Sequence, residues 1–447
     1  MGSDTPERRS YFAASGSFAD GTDSPRAFLD RCIAEMEARD GEVKAFVCTN
    51  LDDARAAADA STERWKSGSQ ISPIDGMPVG VKDVMETADM PTGQGSALFE
   101  GVETGRDCAA VIALREAGAI MVGKTVTTEF AATHPGVTRN PWDLDHTPGG
   151  SSSGSAAAVG SGMLAGATGS QVIGSIIRPA GYCGAFGYKP SVGGINRGGS
   201  FDGFSQSCTG MIAASLAECW LMTREITSRT GGDAGYVGVT GPMELPAATK
   251  PGRVAMLFTA GWGNVSEGAK AEWQRARAAM SSAGVEVLDR EGDDKVAAVE
   301  DAIANAMELS MNINAWEGRF PLDTYNRNMD ASKLSESAHN RLKQALRMTQ
   351  DEFAGLLAER DRVRSVYATI RDHVDVCVTL SAPGAAPKGL DWTGDPLFTV
   401  PTSLVGMPTV TLPVLQDENM PLGLQVIGHT NRDADLFANA GGILELF

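Results

Sequence analysis

The sequence predicts an α/β core with a separate helical insertion. From about residue 25 to residue 235, stretches with helical periodicity alternate with short apolar runs rich in β-branched residues. Such alternation is typical of a sheet whose strands are connected by helices. From 295 to 372 the pattern becomes almost purely helical, and strand-like runs return only after it. We therefore expect a sheet core and a helical block, 295–372, that is inserted into it or covers it.

Two helices are expected near the start of the chain. Residues 25–39 repeat apolar side chains at helical spacing, and Ser24 is placed to cap that helix. Pro25 follows the cap, at a position where proline is favoured because its missing N–H would be unpaired in any case. Residues 50–66 form a second, alanine-rich helix.

The next segment alternates strands and helices. The run MPVGVKDV, residues 77–84, is apolar and β-branched around one lysine, which predicts a buried strand. Asp107 is expected to cap the helix AAVIALREA, which stops at Gly118, and AIMV follows as a short strand. The alanine-rich stretch 155–168 predicts another helix, with the serines before it as N-cap.

The last third of the chain holds the helical block and the remaining strands. Thr349 and Glu352 have the spacing of a capping box ahead of an apolar helical stripe. The segments VTLSAP and TVTLPV resemble strands, and a turn is expected at 416–421.

Composition limits the classes of function. The 447 residues carry a net charge of −18, which disfavours a nucleic-acid partner because the surface repels phosphates. No apolar run is long enough to cross a membrane, and the polar N-terminus shows no secretion signal. Seven scattered cysteines and five unclustered histidines suggest reduced thiols and no metal site. We expect a cytoplasmic protein without a metal or other cofactor.

One motif match is misleading. GAIMVGKT, residues 118–125, fits the phosphate-binding pattern G-x-x-x-x-G-K-[ST] letter for letter. That loop needs its strand before the first glycine, whereas here Ala-Ile-Met-Val is itself the expected strand. Gly118 is better explained as the end of the preceding helix.

A second match is weak. GSSSG, residues 150–154, fits the G-x-S-x-G pattern of a nucleophile elbow, with Ser152 as nucleophile. An elbow needs a strand that leads directly into it, and the preceding NPWDLDHTPG is full of turn formers. His339, His373 and His429 lie downstream as candidate bases, so this interpretation stays open.

Three other segments carry the residue types that acyl transfer needs. A buried lysine can act as a base because burial disfavours its charged form, and Lys82 lies inside the apolar run at 77–84. The alternatives for Lys82 are an ion pair with its neighbour Asp83, or a side chain that extends to solvent from the end of the strand. Glycines before Ser151 allow close approach of the backbone, and the serines could equally cap a helix. In SQVIGSIIRP, consecutive amides before Ser175 could form an oxyanion hole, or the run could be a buried strand.

The order of these motifs resembles the amidase signature family. The resemblance rests on GVKDV, DCAAVIALREAGAIMVGKT, TEFA, TRNPWD, TPGGSSSGSAAAVGSG, IGSIIRPAGYCGAFGYKPS and MPLGLQVIGH. It covers nearly the whole chain apart from the first twenty residues and the helical block. It implies a single domain over 1–447 with a central mixed β-sheet flanked by helices, and a signature core at 77–235.

The resemblance also implies the roles of individual residues. The family's serine–cis-serine–lysine triad falls on Ser175 as nucleophile, Ser151 as the serine of a cis peptide bond, and Lys82 as base. The backbone amides of residues 172–175 are the expected oxyanion hole, formed by Val172, Ile173, Gly174 and Ser175. Arg178 is either a structural arginine paired with a carboxylate, or the group that binds an acidic substrate.

This sequence departs from the commonest family pattern around the nucleophile. Gln171 replaces an acid, Ile173 replaces a glycine, and Ile177 stands where the arginine is usual. An isoleucine side chain leaves a backbone oxyanion hole possible but narrows the pocket. With a short loop after TEFA, these departures favour the stand-alone amidases of the family.

The expected function is hydrolysis of a small-molecule amide through a Ser175 acyl-enzyme. The substrate could be aliphatic, aryl, carboxylate-bearing or urea-derived, and the block 295–372 is expected to shape its pocket. The alternative is a glutaminase-like subunit that delivers ammonia within an amidotransferase complex. A catalytically silent scaffold is disfavoured because all three triad residues are present. Family members are often homodimers, so a homodimer is expected, with no nucleic-acid or membrane partner.

Overall fold

A computed structural model describes residues 5–447 of the protein. Residues 1–4, part of the expected single domain and of the polar N-terminus, lie outside the described residues. The described strands are β1 Phe46–Thr49, β2 Pro78–Lys82, β3 Ile120–Thr125, β4 Gly166–Gln171, β5 Phe186–Lys189, β6 Cys208–Ala213, β7 Arg253–Met256, β8 Glu286–Leu288, β9 Val376–Leu380, β10 Thr409–Asp417 and β11 Met420–Ile427.

The α-helices of the same residues flank these strands. They are α1 Tyr11–Ser15, α2 Pro25–Val43, α3 Leu51–Lys66, α4 Ala109–Glu116, α5 Ser153–Gly160, α6 Ile177–Cys183, α7 Leu216–Thr230, α8 Glu267–Ser282, α9 Asp294–Ile303, α10 Ala306–Glu317, α11 Arg319–Asn328, α12 Glu336–Ala345, α13 Gln350–Ala368, α14 Val400–Val405 and α15 Asp433–Leu444. Within residues 5–447, no helix is long and apolar enough to span a membrane.

The strands form one mixed sheet, as predicted. The order is β1-β3-β2-β4-β6-β5-β10-β11-β9-β7-β8. β2 runs parallel to both of its neighbours, β3 and β4, whereas β6, β5, β10 and β11 are joined by antiparallel pairing. Every residue of β2, β3 and β4 is buried, as expected of parallel strands that are covered on both faces.

Local signals set the helix ends that the sequence predicted. Ser24 caps α2 by accepting a hydrogen bond from the Ala27 amide, and Pro25 occupies the first turn. The predicted capping box at the start of α13 is also present. Gly118 ends the segment after α4 with a φ of +86°, a backbone conformation that glycine adopts without strain.

Two local predictions were wrong. Asp107 does not cap α4, because its carboxylate accepts from the Ala88 amide and pairs with Arg115. The stretch 155–168 is not one helix: α5 ends at Gly160 and β4 begins at Gly166, and no serine side chain caps the start of α5. Small apolar residues fit a buried helix and a buried strand equally well, so their pattern does not locate the boundary.

The helices α9 to α13 lie in the predicted helical block. α10 packs on α12, α13 and α14, and α13 packs on α9. Apolar residues of α9, α10 and α13 form a core cluster with β7, β9 and α14, whereas those of α11 and α12 form a separate, smaller cluster. The chain then returns to the sheet through the hairpin β10–β11, whose two turn residues, Glu418 and Asn419, both have positive φ.

Candidate active site

The three residues of the predicted triad come from neighbouring segments at the carboxyl ends of the parallel strands. Lys82 is the last residue of β2, and Ser151 lies just before α5. Ser175 lies in the turn that joins β4 to α6. Because β2 and β4 are adjacent and parallel, their carboxyl ends meet, and residues that follow them lie close together.

Lys82 is fully buried and contacts the predicted relay serine. Its Nζ lies 2.7 Å from Ser151 Oγ, 2.8 Å from Ser170 Oγ and 3.3 Å from the Ser170 carbonyl oxygen. A neutral amine can donate to both oxygens of Ser170 and accept the hydroxyl proton of Ser151. The three contacts are thus compatible with a deprotonated lysine and with an ammonium ion, which would donate to all three oxygens.

Electrostatics favour the neutral form of this lysine. Burial lowers the pKa of Lys82 to about 7, and the Asp202 carboxylate acts in the opposite direction. The alternative pairing of Lys82 with Asp83 does not occur. Asp83 Oδ1 instead lies 3.3 Å from the Nζ of Lys124 on β3.

Ser151 is held by its backbone as well as by Lys82. The Gly150–Ser151 peptide bond is cis, and Gly149 before it has a φ of +81°. The Ser151 carbonyl accepts from the Thr128 amide at 3.2 Å, and the next amide, of Ser152, donates to the Ser175 carbonyl at 3.2 Å. The loop before α5 is thereby tied directly to the turn that carries Ser175.

Side chains outside that turn hold its shape. Gln171 Oε1 accepts from the amides of Ile176 and Ile177, at 2.8 and 3.0 Å. Ser403 donates to the Ile173 carbonyl at 3.1 Å, and Gln206 donates to the Val172 carbonyl at 3.0 Å. These bonds fix the carbonyl groups of the turn.

The amide groups of the same turn are available. Within residues 5–447, the N–H groups of Ile173, Gly174 and Ser175 have no hydrogen-bond acceptor. Consecutive free amides beside a hydroxyl form an anion-binding concavity. This arrangement could stabilise an oxyanion that develops on a carbonyl bonded to Ser175.

Arg178 is buried and engaged mainly with backbone. Its Nε donates to the Thr393 carbonyl at 2.8 Å, and Nη2 donates to the Gly150 carbonyl at 2.8 Å and to Thr393 Oγ1 at 3.1 Å. The remaining nitrogen, Nη1, is buried without a partner among residues 5–447. The predicted structural role assumed a carboxylate partner, but the partners are carbonyl oxygens and a hydroxyl.

A cavity of about 140 Å³ opens beside Ser175. The turn residues Val172–Ser175 form one wall, and side chains of α10 and α12 form another. Further lining residues are Phe130, Phe204, Trp392 and Thr393. The α10 and α12 side chains in the wall are Met307, Met311, Asn314, Ala315, Arg341 and Gln344.

The two misleading motifs do not form the sites they match. Lys124 is fully buried in β3 and donates to the Met85 carbonyl and to Thr92. The ring nitrogens of His339, His373 and His429 contact Ala331, Asp293 and Val374 respectively, not Ser152. Within residues 5–447, no cluster of three or more histidine, cysteine, aspartate or glutamate side chains is placed to hold a metal ion.

Sequence reasoning missed several residues that support the site. Ser170 lies five residues before Ser175 in the same motif, and its position on β4 beside β2 was the available signal. Gln206 and Thr393 come from loops far away in the sequence. No local pattern marks either of them.

Comparison with known proteins places this architecture among known enzymes. A family model described as Amidase matches residues 27–437. A glutamyl-tRNA(Gln) amidotransferase subunit from Anaeromyxobacter sp. (strain K) is 29% identical, over 93% of this chain and 92% of the relative.

Two solved structures show the same fold. A crystal structure of an amidase superposes with a TM-score of 0.84 at 25% identity, covering 98% of this chain and 99% of the other. The corresponding glutamyl-tRNA(Gln) amidotransferase subunit from Thermotoga maritima gives a TM-score of 0.75 at 24% identity, covering 94% and 91%. With the family match over most of its length, this chain belongs to the amidase family, whose members hydrolyse amide C–N bonds.

Proposed function

We propose that the protein hydrolyses a small-molecule amide through an acyl-enzyme on Ser175, with Ser151 as proton relay and Lys82 as base. One observation carries the proposal. A fully buried lysine, with a pKa lowered to about 7, lies 2.7 Å from a serine whose loop is bonded to the turn bearing Ser175. A nucleophilic serine requires a nearby base, and burial lets this lysine act as that base near neutral pH.

In the first step, the Ser175 oxygen attacks the amide carbonyl. The Ser175 proton passes to the Ser151 oxygen, and the Ser151 proton passes to Lys82, which becomes an ammonium ion. The carbonyl oxygen takes the negative charge and binds the free amides of Ile173, Gly174 and Ser175. Their geometry is fixed before the reaction, so this stabilisation needs no reorganisation.

In the second step, the tetrahedral intermediate collapses. The C–N bond breaks, and the leaving amine takes a proton from Lys82 through Ser151. Water then attacks the acyl-enzyme and gives its proton to the same relay. The carboxylic acid leaves, and the proton returns to Ser175.

We propose that the main role of Arg178 is structural. Its donors are directed at the Gly150 and Thr393 carbonyls, so it holds the residue immediately before Ser151. Its free nitrogen is buried. Arg178 also lines the cavity beside Ser175, so this nitrogen is a second candidate donor to the substrate.

Arg341 is the better candidate for recognising an acidic substrate. It lines the cavity from α12, and within residues 5–447 its guanidinium makes no direct hydrogen bond or ion pair; the Glu129 carboxylate acts on it electrostatically and opposes the lowering of its pKa by burial. Asn314 of α10 lines the same cavity, and its side-chain oxygen also lacks a partner among those residues. The guanidinium suits a carboxylate, whereas the Asn314 oxygen can only accept, so it suits an N–H group of the substrate amide. We propose a carboxylate-bearing amide as substrate, with the helical block 295–372 shaping its pocket.

The second candidate function is that of an ammonia-delivering subunit. The 29% identity to a glutamyl-tRNA(Gln) amidotransferase subunit, over most of both chains, favours it. Glutamine is itself a carboxylate-bearing amide, so the cavity fits both candidates. The closer superposition on the amidase structure, with a TM-score of 0.84 against 0.75, favours the amidase function over the subunit function.

A panel of small amides, read by ammonia release, tests these proposals. Wild-type protein should act best on carboxylate-bearing amides, and Ser175→Ala and Lys82→Ala should abolish turnover, whereas Ser152→Ala should retain it. Arg341→Gln should lower kcat/KM for a carboxylate-bearing amide roughly 10- to 150-fold, the value of one charge-assisted hydrogen bond, and spare a neutral amide of equal size.

Several results would contradict the proposals. Activity in Ser175→Ala with loss in Ser152→Ala would favour the nucleophile elbow at 150–154. Equal losses in Arg341→Gln on both amides would remove its role in recognition. Turnover of glutamine alone, with gel filtration showing dependence on a partner chain, would favour the subunit function.

A further inference from the structure

The loop between β5 and β6, which supplies Gln206 and Phe204 to the site, also packs on the end of β2. In this loop, the Phe201 amide donates to the Val84 carbonyl at 2.9 Å, and the Gly199 carbonyl accepts from the Glu86 amide at 3.0 Å. Both partners follow Lys82 closely in sequence. The loop thereby brings its next residue, Asp202, to the catalytic end of the sheet.

Asp202 is an unusual residue at that position. Its side chain is buried, with 3% of the residue exposed, and neither carboxylate oxygen has a hydrogen-bond partner within residues 5–447. The main-chain carbonyl of Asp202 is held by Arg197 Nη1 at 3.3 Å. A buried carboxylate without direct partners is costly unless an opposite charge lies nearby.

The charged groups around Lys82 are otherwise paired with one another. The pairs are Asp83 with Lys124, Glu86 with Arg106, and Arg197 with Asp233. β4 and α5, which also pack on β2, carry no charged side chain, and the Cys208 thiol at the start of β6 has a pKa raised by burial. Within residues 5–447, neither Lys82 nor Asp202 has a contacting partner of opposite charge, and Arg197, which is paired with Asp233, also acts electrostatically on Asp202.

We propose that Asp202 is a positioning residue that acts through Lys82, by stabilising the ammonium ion formed there when the serine relay is deprotonated. The proposal rests on the proposed function of Lys82 as base. The Asp202 carboxylate is also the charged group that opposes the burial-induced lowering of the Lys82 pKa. In a buried site, Coulomb attraction acts over several ångströms without a hydrogen bond.

The proton transfer leaves Asp202 unchanged. The Ser175 proton moves to Ser151, the Ser151 proton moves to Lys82, and the positive charge appears on Lys82 Nζ. The compensating negative charge appears on the substrate oxygen. Asp202 gains no proton; it lowers the free energy of the buried ammonium ion.

The test uses a probe that needs no knowledge of the substrate. Phenylmethylsulfonyl fluoride sulfonylates an activated serine: the serine oxygen bonds to sulfur, fluoride leaves, and the serine proton passes to the base. The second-order rate at Ser175, measured from pH 5 to 9, should rise through an inflection near pH 7 in the wild-type protein. In Asp202→Asn and Asp202→Ser that inflection should move down by about one pH unit, with a plateau about tenfold lower.

Two control variants distinguish loss of the Asp202 charge from a general disturbance of the fold. Asp202→Glu keeps the charge and should keep the inflection near its wild-type position. Ser200→Ala, in the same loop and neutral, should leave both inflection and plateau unchanged. The Ser variant is smaller than Asn, so it provides a second neutral replacement where melting curves show that one variant is unfolded.

The outcomes are distinguishable. An unchanged or raised inflection in a folded neutral variant labelled at Ser175 would overturn the role of Asp202 and leave the proposed function intact. A shift in Asp202→Glu equal to that in Asp202→Asn would also overturn it. Failure of the wild-type protein to react at Ser175 would overturn the proposed function, and the role of Asp202 with it.

Discussion

At the scale of single residues, two buried lysines near the carboxyl ends of β2 and β3, Lys82 and Lys124, differ in the charge that surrounds them. Lys82 is buried among neutral serine oxygens, whereas the equally buried Lys124 lies beside the Asp83 carboxylate and three further oxygen atoms. Burial lowers the pKa of both groups. Of the two, only Lys124 has a contacting negative charge, so only Lys82 is free to work as a neutral base.

This difference predicts opposite effects on stability. The pKa of Lys82 is about 7 when folded and close to its ordinary value of about 10.4 when unfolded, so the unfolded state binds more protons between those values. Its contribution to stability therefore improves as pH rises from 7 to 10 and is least favourable below 7. Lys82→Met should be more stable than wild type at pH 6–7, by up to about 5 kcal/mol.

Melting temperatures at pH 7 and pH 10 check this expectation. The gain in Lys82→Met should shrink at pH 10, because wild-type Lys82 then no longer differs from its unfolded form. Lys124→Met is the matched control and should be destabilised, since it leaves Asp83 buried without its cation. A constant gain in Lys82→Met at both pH values would show that Lys82 is not neutral in the folded protein.

At the scale of elements, the turn from β4 to α6 depends on Gln171. Its oxygen accepts from two successive amides at the start of α6, and its Nε2 donates to Ser403 at 3.1 Å. Ser403 in turn donates to the Ile173 carbonyl. One side chain thus ties the helix start and the proposed oxyanion amides to α14.

Substitution of Gln171 should therefore alter the turn. Gln171→Leu removes the one oxygen that accepts both bonds and leaves two buried amides unpaired, each costing about 1–3 kcal/mol, so the sulfonylation rate should fall roughly 100-fold. Gln171→Glu keeps an acceptor oxygen, matches the acid common in the family, and should stay within a few-fold of wild type. A wild-type rate in Gln171→Leu would mean that the turn does not need this anchor.

At the scale of the whole molecule, local patterns predicted most of the sheet and its helices. The run around Lys82, the capping box of α13 and the glycine after α4 are each specified by a few adjacent residues. The boundary between α5 and β4 was not predictable, because buried small residues suit both structures. The side chain of Asp107 was not predictable either, because its partners are set by tertiary contacts.

The site was predictable to a similar extent. The order of motifs pointed to Lys82, Ser151 and Ser175, and the structure brings Lys82 and Ser151 into contact. Their catalytic roles remain predictions. The residues that we propose complete the site, such as Asp202, Gln206 and Arg341, come from distant loops and helices, where sequence spacing carries no information about proximity.

The assembly of the molecule follows from which candidate function is correct. A stand-alone amidase needs no other chain for turnover, and a homodimer is our proposal for its solution state. An amidotransferase component would work with partner chains. Both share the same nucleophile, so the identity of that nucleophile is the central claim.

The most direct test of that claim is to locate the covalent adduct. After reaction with phenylmethylsulfonyl fluoride, proteolysis and peptide mass spectrometry should place one sulfonyl group on Ser175. Ser151, Ser152 and Ser153 should be unmodified, and Lys82→Met should greatly reduce the yield. An adduct on Ser152, or undiminished labelling of Ser175 in Lys82→Met, would contradict the account.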